Sequence, residues 1–159
     1  SAELLNKTRE LVIKTFEKSE TNIMDGMDIS LCVLDTFTNE LQFSGANNSL
    51  IIVRDGALIK LKADRQSIGY SQELRPFTTH TFQLKVKDRI YAFSDGYADQ
   101  FGGPSSGGKK FKSKNLEDLL LSIQELSLSE QKKVVLEKFY QWRGDSEQTD
   151  DVCMVGVEI

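Results

Sequence analysis

The sequence predicts an α+β fold in which helices pack on a mostly antiparallel sheet or on a sandwich of two sheets. Three observations support this prediction: an amphipathic helix opens the chain, about eight short β-prone segments follow it, and a pair of amphipathic segments precedes the last strand. The 159 residues suffice for one globular domain with a hydrophobic core, and we expect a single domain.

Helical periodicity marks three segments. Apolar residues at three-four spacing predict a helix over residues 4–18. Its apolar stripe must be buried, either against the later sheet or against part of a longer chain. Two further stripes predict a helical hairpin before the last strand. Ser127 and Glu130 have capping-box spacing at the start of its second helix, and Gly144 is placed to end that helix.

The clearest strand signal is a hairpin. The β-prone runs Leu50–Arg54 and Ala57–Leu61 are separated by Asp55-Gly56, a dipeptide typical of two-residue hairpin turns. At the end of the chain, Val152–Ile159 is apolar at nearly every position. This pattern predicts an internal strand of a sheet that is covered on both faces.

A second hairpin is predicted further along the chain. Residues 62–79 hold few apolar side chains and are expected to form a connecting loop. Alternation from Phe82 to Val86, followed by a turn at Lys87-Asp88, leads into the run Arg89–Phe93.

Charge and cysteine usage exclude some functions. Twenty basic and 24 acidic residues give a net charge of −4, which does not favour nucleic acid as a partner. Cys32 and Cys153 lie within apolar, strand-like stretches, which indicates free thiols in a reducing compartment. The sequence has no membrane-length apolar run and no signal-peptide pattern. We therefore expect a cytoplasmic chain without direct membrane contact, although a longer protein could be anchored through other parts.

Two acidic spots stand at strand ends. Asp95 follows the strand that ends at Phe93, and Asp150-Asp151 precedes the final strand. If these strands pair antiparallel, the end of one meets the start of the other at the same sheet edge, and the carboxylates converge. Gly96 would let the backbone approach a bound cation closely.

Converging carboxylates favour a divalent cation, because they cannot all ionise cheaply without one. Mg²⁺ and Mn²⁺ accept such oxygen ligands, and a metal-bound water becomes a nucleophile near neutral pH. The alternative is that both spots are ordinary turns, since Asp-Gly is among the commonest turn dipeptides.

Four motifs in order resemble the later half of a SpoIIE-like phosphatase domain, of the PPM type similar to protein phosphatase 2C. They are Asp28–Asp35, Ser44–Asn48, Tyr91–Asp99 and Gln148–Val152. The resemblance implies a mostly antiparallel β-sandwich flanked by helices. It also implies hydrolysis of phosphoserine or phosphothreonine with two Mn²⁺ or Mg²⁺ ions in the complete domain.

The resemblance also implies roles for individual residues. Asp95 and Asp150 correspond to the catalytic metal ligands of the family's Ser-Asp-Gly and Asp-Asp or Asp-Asn motifs. Gly96 and Asp151 belong to the same metal-binding motifs, and Asp151 is expected to act from outside the direct ligand set. Asp99 stands where the family often has Glu.

One family motif has no counterpart. The earlier Asp-Gly-His-Gly-like motif is absent from these 159 residues, and Asp25-Gly26 reads as a loop. The resemblance therefore implies a domain truncated at its N-terminus, without its early strands and first helix. We expect this chain to be a poor phosphatase, because metal affinity follows ligand count. Uncovered sheet edges would also favour self-association.

The resemblance implies that the substrate is a phosphorylated regulatory protein, such as an anti-sigma-factor antagonist, in bacterial signalling. The alternative is a catalytically silent interaction or sensor-output domain with the same fold. The segment Gly103–Lys109 approaches a P-loop pattern, but Lys110 replaces its Ser/Thr. This segment is better interpreted as a flap beside the metal site or as a plain flexible loop.

Overall fold

The computed structural model describes residues 1–16, 26–70, 73–104 and 108–159. These residues form two compact units, one of residues 1–50, 60–86 and 159, the other of residues 51–59 and 87–158. In chain order the elements are α1 Ala2–Phe16, β1 Gly26–Met27, β2 Ile29–Asp35, β3 Glu40–Ala46, β4 Leu50–Arg54, β5 Ala57–Leu61, β6 Ile68–Gly69, β7 His80–Gln83, β8 Arg89–Phe93, α2 Gly96–Asp99, β9 Phe101–Gly102, β10 Lys109–Lys110, α3 Ser113–Ser122, α4 Leu128–Arg143 and β11 Met154–Glu158.

The first unit contains an antiparallel sheet with the strand order β2-β3-β7 and a short antiparallel ribbon of β1 and β6. Helix α1 packs against β3 and β6. Leu5 from its apolar stripe is buried there, whereas Leu4 and Leu11 are 55% and 65% exposed. One buried apolar cluster of this unit consists of Leu5, Ala46, Ile68 and Phe77.

A buried arginine also fixes α1. Arg9 is 7% exposed, and its guanidinium donates hydrogen bonds to Gln66 Oε1 at 3.0 Å and to the Arg75 carbonyl at 2.8 Å. The same guanidinium lies 4.8 Å from the centroid of the Phe77 ring. The segment 62–79 is predicted to be a connecting loop. Its described part, residues 62–70 and 73–79, contains the short strand β6 and supplies contacts to the helix.

The second unit is built on a four-stranded sheet with the order β11-β8-β4-β5. Asp55 and Gly56, between β4 and β5, have φ angles of 48° and 77°. Two successive positive φ angles are typical of the predicted two-residue hairpin turn. Strand β8 pairs antiparallel with β4 on one side and with β11 on the other.

Helices α3 and α4 contribute to the core of the second unit. Ser127 and Glu130 form the predicted capping box at the start of α4, and Gly144 follows its last residue with a φ of 54°. Hydrogen bonds from Ser127 lower the pKa of Glu130. The buried core residues are Ile51, Val53, Tyr91, Tyr97, Phe111, Leu116, Leu120 and Phe139.

No described helix has the length and apolar character that a membrane crossing requires.

The predicted second hairpin is wrong. Strand β7 pairs with β3, with His80 opposite Phe43, whereas β8 pairs with β4 and β11. Lys87 has a φ of 72°, which turns the chain after β7, yet the two flanking strands belong to different sheets. A local turn signal cannot identify the pairing partner of the strand that follows it.

The environment of the last strand also differs from the prediction. β11 ends the strand order of its sheet instead of lying inside it. Val155 and Val157 are 54% and 42% exposed, so this part of the strand is not covered on both faces in the described structure. Cys32 and Cys153 are free thiols as expected, but both are exposed.

The antiparallel ladders and the four described helices confirm the predicted α+β fold class. The helix predicted over residues 4–18 is described as far as Phe16. Asp25 and the other residues between Phe16 and Gly26 lie outside the described part of the chain.

We predict that replacing Asp88 with asparagine destabilises the protein by about 3 kcal/mol, because it removes the charge of a buried carboxylate that is ion-paired with Arg54. The Asp88 side chain is 1% exposed and accepts hydrogen bonds from Arg54 Nε at 2.8 Å and Nη2 at 2.5 Å. Urea unfolding measures the change.

Asp118→Asn is the matched control. Its carboxylate pairs with Lys114 at 2.8 Å, but the two side chains are 57% and 75% exposed, so the loss should stay below about 1 kcal/mol. Equal losses for the two variants would contradict a structural role for the buried pair.

Candidate active site

The ends of two paired strands define the site. Phe93, the last residue of β8, pairs with Met154, the first residue of β11. The contact continues beyond the strands, because the Ser94 N–H donates to the Cys153 carbonyl at 3.0 Å and the Cys153 N–H donates to Ser94 Oγ at 3.0 Å. The segments that carry the predicted acidic residues therefore leave the sheet side by side.

Gly96 makes the closest approach between the two segments. Ser94 Oγ donates a hydrogen bond to the Asp151 carbonyl at 2.8 Å. Gly96 is buried, and a Cβ atom at position 96 would overlap that carbonyl oxygen and lie 3.4 Å from the carbonyl carbon of Asp150. The structure thus places the backbone of Gly96 against that of Asp150-Asp151, and the two strand ends meet at one sheet edge as the sequence predicts.

The side chains of Asp95, Asp150 and Asp151, here called the acidic rim, are exposed. Asp150 Oδ1 accepts a hydrogen bond from the Asp151 N–H at 2.7 Å, and the Asp150 carbonyl accepts one from Gln148 Nε2 at 2.9 Å. Asp95 is the N-cap residue of α2, and its side chain makes no capping hydrogen bond. Accessible carboxylates of this kind are hard oxygen donors that suit Mg²⁺ or Mn²⁺.

Helix α2 is anchored in the core by Tyr97. Its hydroxyl donates to the Val135 carbonyl at 2.9 Å, and its ring lies 5.1 Å, between centroids, from both Phe111 and Phe139. Burial raises the pKa of Tyr97 above its ordinary value, so the hydroxyl stays a hydrogen-bond donor. Asp95 therefore lies at the start of a helical turn that is fixed by the packing of Tyr97 in the core.

Comparison with known families now identifies the chain. The sequence model of the Stage II sporulation protein E (SpoIIE) family matches residues 1–159. The chain belongs to the SpoIIE family. Comparison with curated protein sequences gives no match.

Solved structures share the fold of this SpoIIE-family chain. The SiaA-PP2C domain of Pseudomonas aeruginosa is 25% identical with a TM-score of 0.86, over 99% of this chain and 60% of that one. The phosphatase domain of SpoIIE from Bacillus subtilis is 15% identical with a TM-score of 0.64, over 99% and 72%. The serine/threonine phosphatase PstP/Ppp of Mycobacterium tuberculosis is 13% identical with a TM-score of 0.66, over 95% and 67%. The chain has the PP2C-like phosphatase fold.

The acidic rim of the SpoIIE-family chain offers carboxylate oxygens, which are donors that suit a divalent cation. The number of these donors is small. Within residues 1–16, 26–70, 73–104 and 108–159, no three His, Cys, Asp or Glu side chains are grouped so that they could hold a metal ion. Asp95 and Asp150 are the ligands that the sequence predicts. Further ligands are needed for tight binding, because affinity follows ligand number and charge.

Asp99, the acidic residue at the end of the same motif, has a different partner. Its Oδ2 is 2.7 Å from Lys110 Nζ. The Lys110 ammonium also lies 6.0 Å from the centroid of the Phe101 ring. Asp99 therefore ties α2 to β10.

Two short strands flank the glycine-rich segment. β9 and β10 pair antiparallel, with Gly102 opposite Lys109. The Gly103 N–H donates to the Trp142 carbonyl at 2.7 Å, and Gly103 has a φ of 88° against the indole ring. Residues 105–107 lie outside the described part of the chain. Lys110, which replaces the P-loop Ser/Thr, is bound to Asp99.

Sequence reasoning missed three residues that shape the site. Ser94, Tyr97 and Gln100 link the Asp95 segment to α4 or to the loop before β11. Gln100 is 1% exposed, and a single sequence has no signal that separates such a buried glutamine from a surface one. The sequence signal for a buried Tyr97 is its place as an aromatic residue directly after Asp95-Gly96.

We predict that Gly96→Ala destabilises the protein by about 1–3 kcal/mol, because the added methyl group forces the Asp151 carbonyl away. Gly156→Ala is the matched control, since a Cβ there would meet Leu128 Cδ2 and the Tyr91 ring at an ordinary 3.5 Å. Thermal unfolding compares the two variants. A larger loss for Gly156→Ala would contradict the close approach at Gly96.

Proposed function

We propose that the chain is part of a metal-dependent protein serine/threonine phosphatase whose chemistry takes place at the acidic rim. One observation carries the proposal. The Asp95-Gly96 backbone lies against the Asp150-Asp151 backbone, so that two carboxylate-bearing segments from distant parts of the chain share one edge. Membership in the SpoIIE family and the PP2C-like fold support the same conclusion.

Asp95 and Asp150 would hold the cation through their carboxylates, with the Gly96 backbone and Asp151 beside them. Mn²⁺ or Mg²⁺ bound there would supply Lewis acidity and lower the pKa of a water ligand. The described residues contribute charge and orientation: α2 fixes Asp95, and Ser94 fixes the carbonyl of Asp151. Two ions in the complete domain would require the aspartate motif that this sequence lacks.

We further propose that the substrate is a phosphoserine or phosphothreonine on a regulatory protein in bacterial signalling, such as an anti-sigma-factor antagonist. The exposed position of the rim supports a protein substrate, because a phosphorylated side chain could reach it without passing through a closed cavity. The chain spans only 60% of the length of the SiaA-PP2C chain. The phosphatase activity is therefore proposed for a longer protein that contains this chain.

A catalytically silent interaction or sensor-output domain is the second candidate. The small number of grouped metal donors among the described residues favours it. The two candidates differ in one property: a phosphatase must bind Mn²⁺ or Mg²⁺ at the acidic rim, whereas an interaction domain has no such requirement.

We predict that Asp95→Asn and Asp150→Asn each weaken Mn²⁺ binding at least about tenfold, because each removes a charged oxygen ligand. Asp145→Asn is the matched control, because Asp145 lies on the same exposed loop as Asp150. This variant should bind Mn²⁺ like the unchanged chain. Calorimetric titration with Mn²⁺ gives the affinities, and hydrolysis of a phosphothreonine peptide gives the activity.

The unchanged chain should bind Mn²⁺ weakly and turn over slowly. Full Mn²⁺ affinity in both Asp95→Asn and Asp150→Asn would overturn the proposed site. Metal binding without any hydrolysis, in a polypeptide that also contains the missing aspartate motif, would favour the silent domain.

A further inference from the structure

Gln100 is a buried polar side chain next to the acidic rim. It lies one residue beyond α2 and is 1% exposed. Its Nε2 donates to the Glu147 carbonyl at 2.9 Å and to the Phe101 carbonyl at 2.9 Å. A side chain this buried cannot contact a protein substrate, so any effect on the reaction must pass through the groups it holds.

The backbone of Gln100 makes two further hydrogen bonds. Its carbonyl accepts the Trp142 Nε1–H at 3.1 Å and the Phe111 N–H at 3.0 Å. The same residue therefore bonds the last turn of α4, the segment before α3 and the loop that follows α4. Four hydrogen bonds fix its position within the second unit.

The loop of residues 144–153, here called the acidic loop, joins α4 to β11 and carries Asp150. The Asp95 segment holds it at two places: Ser94 bonds Asp151 and Cys153 near its end, and Gln100 bonds Glu147 near its middle. Asp150 lies between these two attachment points. Ser94 and Gln100, on either side of Asp95, thus hold the loop on either side of Asp150.

We propose that Gln100 is a positioning residue that fixes the conformation of the acidic loop and thereby sets Asp150 opposite Asp95. The effect on metal binding rests on the proposed function, whereas the effect on the loop does not. Outer groups that orient metal ligands commonly change metal affinity by 10- to 100-fold when they are replaced. The Gln100 amide donates its hydrogen bond to the backbone carbonyl of Glu147. Replacing Gln100 alone therefore tests the proposal without altering another side chain.

Gln131 provides a matched control. It is also a buried glutamine, 3% exposed, and its Nε2 donates to the carbonyls of Ile123 and Leu126 at 3.0 and 3.1 Å. Its Oε1 accepts the Tyr91 hydroxyl at 2.7 Å. Replacing it removes the same type of hydrogen bonds, and none of these three bonds reaches the acidic loop.

The test compares Gln100→Met with Gln131→Met. Methionine keeps the length of the side chain and removes the amide. We expect both variants to unfold at lower temperature. Only Gln100→Met should raise hydrogen exchange of the metal-free protein over residues 145–151, by about tenfold, because one hydrogen bond to the loop is lost. Only Gln100→Met should weaken Mn²⁺ binding, again by about tenfold.

Gln100→Asn serves if Gln100→Met does not fold, since it keeps the amide but falls one methylene short of the Glu147 carbonyl. Unchanged exchange over residues 145–151, or an equal increase in Gln131→Met, would overturn the proposal. If the unchanged chain shows no Mn²⁺ binding, the proposed function fails. The exchange measurement alone then decides the role of Gln100.

Discussion

The structure of the site depends on the antiparallel pairing of β8 with β11. This ladder joins residues 61 to 69 positions apart in the sequence and places the end of one strand beside the start of the other. Ser94 and Cys153 continue the ladder by one step, and Gly96 then allows the two segments to remain in contact. Without this pairing, Asp95 and Asp150 would be unrelated surface carboxylates.

Around this pairing, the fold combines a rigid base with an exposed rim. Tyr97 anchors α2 in the core, and Gln100 and Ser94 hold the acidic loop. The acidic side chains themselves remain in solvent, so the protein avoids the desolvation cost of burying unpaired charges. Such an arrangement is typical of sites where irregular segments on a well-packed scaffold carry the chemistry.

Much of the fold could be predicted from the sequence because the signals are local. The turn at Asp55-Gly56 and the capping box of α4 need no knowledge of distant residues. Strand partners do need it. The local signals therefore predict that β7 pairs with β8 instead of β3, and that β11 lies inside a sheet. For the site, the acidic residues could be named from their motifs. Gln100 could not, because its burial is a tertiary property.

The central claim is that Asp95 and Asp150 face a common cation. Paramagnetic broadening by Mn²⁺ in an NMR titration tests it most directly, since a bound Mn²⁺ ion broadens the amide signals of every residue close to it. We predict that the amides of residues 94–97 and 150–153 lose intensity together, and that Asp95→Asn and Asp150→Asn each abolish this loss in both segments at the same Mn²⁺ concentration. Unchanged broadening of both segments in either variant would contradict a shared cation.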